Sequence, residues 1–124
     1  MELLISDNKT IKNLQDEFNK LFPFLKIEFF SRSHGKGEAS PKSMIRNNSK
    51  TLGECRKIHS NGSLKISAKQ KVSELEQMLQ EHFGLSAQVF RKSGKVWLET
   101  TSTDDWTLAK QNEQALEFSK PAED

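Results

Sequence analysis

The sequence predicts an α+β fold in which two helices cover one face of a two-layer, antiparallel or mixed sheet, with a C-terminal helix added. Two observations indicate this class. Along the chain, segments in which apolar and polar residues alternate are interspersed with segments whose apolar residues have helical spacing. The chain has 124 residues, 34% of them hydrophobic, which is enough to bury one core but not two substantial ones. We therefore expect a single domain over residues 1–119 and a frayed tail at 120–124.

The N-terminal part predicts a strand, a helix and a second strand. Glu2–Ser6 contains three consecutive apolar residues, as in a strand covered on both faces. Asp7 or Asn8 can cap the following helix, and Pro23 marks its end. Its apolar positions at helical spacing are Ile11, Leu14, Phe18 and Leu21. Alternating apolar and polar residues then predict a strand over residues 24–32.

The middle of the chain predicts a loop and a hairpin. Residues 33–50 are rich in Gly, Ser, Pro and Asn, which favours a long mobile loop. Leu52–Ser60 and Ser63–Ser67 are predicted as two strands joined by the tight-turn dipeptide Asn61-Gly62. The register of this hairpin stays open, because its apolar residues do not fall on one face.

The second predicted helix has the strongest pattern in the chain. Ser67 and Gln70 have the spacing of a capping box, and Gly84 is placed for a left-handed C-cap. The apolar stripe between them consists of Val72, Leu75, Met78, Leu79 and Phe83.

A hairpin and a third helix complete the prediction. Residues 85–92 and 95–100 alternate as strands around Ser93-Gly94. Thr103 or Asp104 can cap the third helix, whose apolar residues include Trp106 and Leu116. The resulting order resembles the ferredoxin-like split βαβ arrangement with extra strands. That resemblance implies a sheet with two helices on one face, and it implies no activity.

Each of three predicted strands carries one aromatic residue among the polar residues of its other face. These residues are Phe30, Phe90 and Trp97. Such aromatics form either an exposed binding platform or the floor beneath a covering element, and the third helix is the expected cover. With the neighbouring basic residues they give a candidate binding surface consisting of Phe30, Arg32, His34, Lys36, Phe90, Lys92, Lys95 and Trp97.

Charge is segregated along the chain. Residues 31–59 contain seven basic and two acidic side chains, whereas residues 99–124 contain seven acidic side chains and two lysines. A basic surface of this kind favours nucleic acid or another acidic partner. The alternative is that the acidic segment folds back beside the basic one.

Motifs for catalysis or metal binding are weak. Cys55 is the single cysteine, which excludes an internal disulfide, and the three histidines lack zinc spacing. On a strand Cys55 and His59 would share a face, but no third group orients them. Ser33–Gly37 could wrap an anion, although it is not a Walker A loop. We expect no cofactor, no metal site and no enzymatic activity.

The sequence therefore favours a cytoplasmic, non-enzymatic protein-interaction module. No segment approaches the roughly 20 apolar residues that span a bilayer, and the N-terminus lacks the pattern of a signal peptide. A protein partner is expected, reached through the loop at residues 31–50 or the open part of the sheet. The alternative is single-stranded nucleic acid on the basic loop and aromatic face, although the aromatic run of RNA-recognition motifs is absent.

Overall fold

The computed structural model of the chain describes residues 1–31 and 43–119. In this part of the chain it contains five strands, four α-helices and a short 3-10 helix at Thr101–Thr103. In chain order the elements are β1 (Glu2–Ile5), α1 (Ile11–Leu21), β2 (Leu25–Phe30), α2 (Leu52–Cys55), β3 (Gly62–Lys65), α3 (Val72–Phe83), β4 (Ser86–Ser93), β5 (Val96–Glu99) and α4 (Leu108–Ser119). None of these helices is both long and apolar enough to cross a membrane.

The strands form two antiparallel sheets. β1 pairs with β3, and the second sheet has the order β2-β4-β5. The mixed α+β class is therefore as predicted, whereas the ferredoxin-like layout with a two-layer arrangement is not confirmed. β1 also differs from its prediction, because its side chains alternate and Leu4 is 64% exposed while Leu3 and Ile5 are buried.

The predicted hairpin around Asn61-Gly62 is wrong. Leu52–Cys55 is a helical turn capped by Thr51, whose side chain accepts from the Glu54 amide. Gly62–Lys65 forms β3 and pairs with β1, which lies about sixty residues earlier in the chain. A local turn signal therefore gives way to a long-range strand pair that buries Leu3 opposite Leu64.

Three helices begin later than the sequence signals suggested. The cap of α1 is Thr10, whose hydroxyl accepts from the Asn13 amide, because Asp7 is held by other side chains. α3 starts after Lys71 and α4 after Thr107. In both cases, the predicted capping residues lie in turns whose backbone bonds to another part of the chain. By contrast, Gly84 has φ 65 and ends α3 as predicted.

The predicted loop at residues 33–50 is partly ordered by backbone hydrogen bonds. The Ser31 amide donates to Ser43, and the Ile45 amide donates to Phe29, so residues 43–45 extend the sheet beside β2. Residues 48 and 50 accept from the first turn of α1. Residues 33–42 of the predicted loop, like the predicted tail at 120–124, lie outside the described residues.

The chain consists of two halves built on one backbone plan. In the first half α1 follows β1 and leads to β2, and α3 stands in the same way between β3 and β4 in the second half. Each half then adds a further strand segment and a helix that begins at the leucine of a Thr-Leu dipeptide. In each half, four equivalent backbone hydrogen bonds join the region around the start of this last helix to the region around the start of the first helix. In the first half they run from Ile11 N to Lys50 O, Lys12 N to Asn48 O, Leu52 N to Lys9 O and Gly53 N to Asp7 O. In the second half they run from Val72 N to Trp106 O, Ser73 N to Asp104 O, Leu108 N to Gln70 O and Ala109 N to Ala68 O.

A pseudo-twofold axis relates the halves. With α1 and α3 superposed, Leu3 corresponds to Leu64, and these two residues also face each other in the β1–β3 pair. Phe29 corresponds to Val89, because the carbonyl of each accepts from the strand segment that follows, from Ile45 N and Thr100 N. Glu28 then corresponds to Gln88, and they face each other in the β2–β4 pair. β1 and β2 thus each pair with their own counterpart, as in a symmetric dimer.

One core serves both halves. The buried stripes of α1 and α3 occupy equivalent positions and meet the apolar faces of both sheets. The members of the cluster that are less than 2% exposed include Ile11, Leu14, Phe18, Leu25, Phe29, Leu52, Leu64, Val72, Leu75, Leu79 and Leu108. Because the β1–β3 and β2–β4 pairs both join one half to the other, neither half has a core of its own.

Candidate functional site

The aromatic residues of the predicted binding surface differ in accessibility. Phe30 is 3% exposed and Phe90 7%, so neither ring is free to stack on a ligand. Trp97 is only partly buried. Of the three, Trp97 alone is accessible enough to contact a partner.

Lys26 occupies the space between two of these rings. Its Nζ atom lies 5.0 Å from the ring centroid of Trp97 and 5.4 Å from that of Phe90, which is cation–π distance. The same atom forms an ion pair with Glu28 at 3.4 Å. Its charge is therefore already matched within the protein.

The basic residues of the predicted surface are brought together only in part. Lys92 is the cross-strand neighbour of Trp97, and Lys95 is exposed in the turn between β4 and β5. Arg32, His34 and Lys36 lie outside the described residues.

The third predicted helix, α4, does not cover Trp97. Trp106, just before α4, stacks on Arg91 at 5.5 Å and on Lys110 at 4.2 Å. Arg91 also donates to Gln111 of α4, and its cross-strand neighbour is the fully buried Leu25. Neighbouring residues of a strand point to opposite faces, so α4 packs on the core side of β4. The expectation that it covers Trp97 is wrong, because α4 packs beside Arg91 and its buried Leu108 belongs to the main core.

The outer edge of β5 is free in the part of the chain that the structure describes. β5 pairs with β4 on one side, where the Thr100 amide donates to Val89 just beyond the strand end. Antiparallel strands alternate the direction of their backbone groups. Val96 and Leu98 therefore bond towards β4, while the backbone groups of Trp97 and Glu99 point outwards.

Exposed apolar side chains accompany this free edge. Val96 is 57% exposed and Leu98 41%, and both lie on the face opposite Trp97. An unpaired strand edge with apolar side chains is a template for another strand. The sequence did not indicate this site, because strand periodicity shows which residues share a face but not which strand lies at the edge of the sheet.

A second cluster joins Asp7, Arg56 and His59. The Arg56 side chain is fully buried and donates to Asp7 Oδ1 from Nε at 3.1 Å and from Nη2 at 2.9 Å. It also donates to the carbonyls of Ser60 and Phe83. His59 Nδ1 lies 3.0 Å from both Asp7 carboxylate oxygens, and this hydrogen bond is the main cause that lowers the pKa of Asp7.

The Cys55 thiol beside this cluster differs from its prediction. Cys55 belongs to the helical turn α2, so the expectation that it shares a strand face with His59 is wrong. Burial raises the pKa of the Cys55 thiol, which disfavours the reactive thiolate. Among the described residues no three His, Cys, Asp or Glu side chains are placed to hold a metal ion. The cluster fixes residues 56–61 to the end of α3.

A partly buried carboxyl group supports β4 from the side. Glu76 Oε2 accepts from the Val89 amide at 2.8 Å, beside the point where β5 ends. Burial raises the pKa of Glu76 to about 8. The counterpart of Glu76 in the first half is Gln15, which donates to the Ile27 carbonyl of β2. Both side chains satisfy backbone groups that lack a strand neighbour, so their role is structural.

Comparisons with known protein families, curated proteins and solved structures find no match for this chain.

Proposed function

We propose that this protein is a non-enzymatic interaction module that binds an extended segment of another polypeptide along the free edge of β5. The observation that carries the proposal is the outward-facing backbone of Trp97 and Glu99, flanked by the exposed side chains of Val96 and Leu98. The proposal keeps the cytoplasmic location that the sequence favours.

Strand addition uses both features of this edge. The outward N–H and C=O groups of Trp97 and Glu99 give sequence-independent affinity, as in other cases where a peptide extends a sheet. Val96 and Leu98 contact one face of the added segment, while Trp97 and the lysines at 92 and 95 contact the other. Alternate side chains of the partner then provide specificity.

The burial of Phe30 and Phe90 supports a protein partner over nucleic acid. Base stacking contributes about 1 to 3 kcal/mol per base, and it requires an open ring face. Lys26, whose Nζ atom lies over the Trp97 ring, is already paired with Glu28.

Selection from a phage-displayed library of random linear peptides tests the proposal. We expect enrichment of peptides whose binding is lost in Glu99→Pro, because proline removes the outward donor without touching the bonds to β4. Glu99→Ala is the matched control, since it removes the side chain but keeps the amide. Circular dichroism checks that both variants fold.

Two outcomes contradict the proposal. One is a set of selected peptides that bind Glu99→Pro as well as the wild type. The other is tight, salt-sensitive binding of a fluorescent oligo-dT strand that is lost in Trp97→Ala, which would indicate the nucleic-acid alternative.

A further inference from the structure

We infer that the polypeptide bound at the β5 edge is a second copy of this chain, paired antiparallel with a twofold axis at Trp97. This inference rests on the proposed function of the edge. It names the partner from the order of residues in β5 and its turn, Lys95-Val96-Trp97-Leu98-Glu99.

The five residues are complementary to themselves when the strand is reversed. A twofold axis at Trp97 places Lys95 opposite Glu99 of the second copy, and Val96 opposite Leu98. Opposed residues lie on the same face of a sheet, so two cross-strand pairs of opposite charge and two apolar pairs form together. The two tryptophans meet on the aromatic face, above Lys26 of each copy.

The backbone geometry is compatible with this register. Trp97 and Glu99 are the β5 residues whose N–H and C=O groups point away from β4. The register pairs the two Trp97 residues with each other and places each Glu99 beside Lys95 of the other copy, which lies in the turn just before β5. Moving the axis to Val96 places Lys95 opposite Trp97, and moving it to Leu98 places Glu99 opposite Trp97. Either shift separates the opposite charges.

Pairing in this way joins two sheets of order β2-β4-β5 into one continuous sheet of twice the size. The contact is short, and it covers less than the roughly 1,200 to 2,000 Å² of a stable interface. We therefore expect concentration-dependent association that weakens as salt screens the exposed Lys95–Glu99 pairs.

Charge reversal tests the register. Sedimentation equilibrium of the full chain at low salt is expected to show a monomer–dimer equilibrium. Lys95→Glu alone and Glu99→Lys alone each place like charges opposite one another twice, so each is expected to weaken association about tenfold or more. The double variant Lys95→Glu/Glu99→Lys restores it, and so does an equimolar mixture of the two single variants, in which both opposed pairs have opposite charge.

A chain that is monomeric at all concentrations overturns the inference, as does association that the charge reversals leave unchanged. Neither result bears on the peptide selection, which can still succeed with a monomer. Conversely, selected peptides that ignore Glu99→Pro contradict the proposed function itself. Residues 95 and 99 do not belong to the apolar core, so we expect each variant to fold. Circular dichroism of each variant checks this.

Discussion

The two halves of the chain share a backbone plan but differ in the side chains at the same place. In each half, the second residue of the last helix donates its amide to a residue that precedes the first helix. This pair is Gly53 and Asp7 in the first half and Ala109 and Ala68 in the second half. Four residues after the shared Thr-Leu leucine, the first half has the fully buried Arg56. The second half has Asn112, which accepts from the Phe24 amide with its side chain.

Arg56 and Asn112 both bond to backbone groups of the opposite half, one as a donor and the other as an acceptor. Each reaches the junction between helix and strand in the opposite half, where Arg56 donates to Phe83 and Asn112 accepts from Phe24. The shared backbone plan depends on the two Thr-Leu dipeptides and on main-chain hydrogen bonds. The side chains that contact the opposite half can therefore differ. At this contact the first half has the buried, charged Arg56 side chain, whereas the second half has the neutral Asn112. The effect of this difference on stability can be measured.

The largest expected difference comes from Arg56→Ala against Asn112→Ala. Removing Arg56 leaves two carbonyls without their donor, whereas Asp7 is partly exposed and keeps His59, and the loss of the two carbonyl partners is expected to cost about 2 to 4 kcal/mol. Removing Asn112 loses one hydrogen bond, about 1 kcal/mol. Urea unfolding of both variants measures the two losses, and equal losses would show that Arg56 has no special role.

The pH dependence of stability is expected to depend on Glu76. Its pKa is about 8 in the folded chain and ordinarily 4.5, so the folded state binds more protons between these values. Stability therefore falls as pH rises through this window, by up to about 1.4 kcal/mol per pH unit. Glu76→Gln, which keeps an acceptor for the Val89 amide, is expected to flatten the profile.

Thermal unfolding from pH 5 to pH 9 measures this effect. Glu81→Gln is the matched control, because Glu81 is an exposed residue of the same helix. A wild-type profile that stays flat in this range would contradict the assignment of a protonated carboxyl group at Glu76.

The smallest expected effect is at Gly53. A Cβ atom there would lie 2.9 Å from Asp7 Cβ, and Asp7 is held in place by Arg56 and His59. Gly53→Ala is expected to destabilise by about 1 to 2 kcal/mol, although alanine normally favours a helix. At the equivalent position, Ala109→Gly is expected to cost about 0.5 to 1 kcal/mol through backbone entropy alone. Calorimetry of both variants compares them, and a stabilised Gly53→Ala would mean that Asp7 moves aside freely.

Local patterns predicted the elements that depend on local contacts. The β4–β5 hairpin is confirmed because its turn needs one residue with positive φ, and Gly94 supplies it at φ 61. The stripe and C-cap of α3 are confirmed for the same reason. Gly62 failed as a turn because its strand pairs with β1, and nothing near Gly62 specifies that distant partner.

The repeat was missed because few identical residues mark it. The repeated dipeptides Ile5-Ser6 and Ile66-Ser67, together with the two Thr-Leu pairs, are the signals that could have shown it. The β5 edge could not be predicted either. Its exposure depends on β5 being the last strand in the order β2-β4-β5, which follows from the tertiary structure and not from the alternation of β5.

The pseudo-twofold axis has a consequence for how the chain folds. Both strand pairs on the axis join residues about sixty positions apart, so the chain behaves as two subunits that a linker holds at high effective concentration. The β1–β3 and β2–β4 pairs cannot form until both halves are present. The loop-closure entropy for all these contacts must then be overcome in one step, which makes unfolding a single cooperative transition and folding slower than for a helical protein of this length.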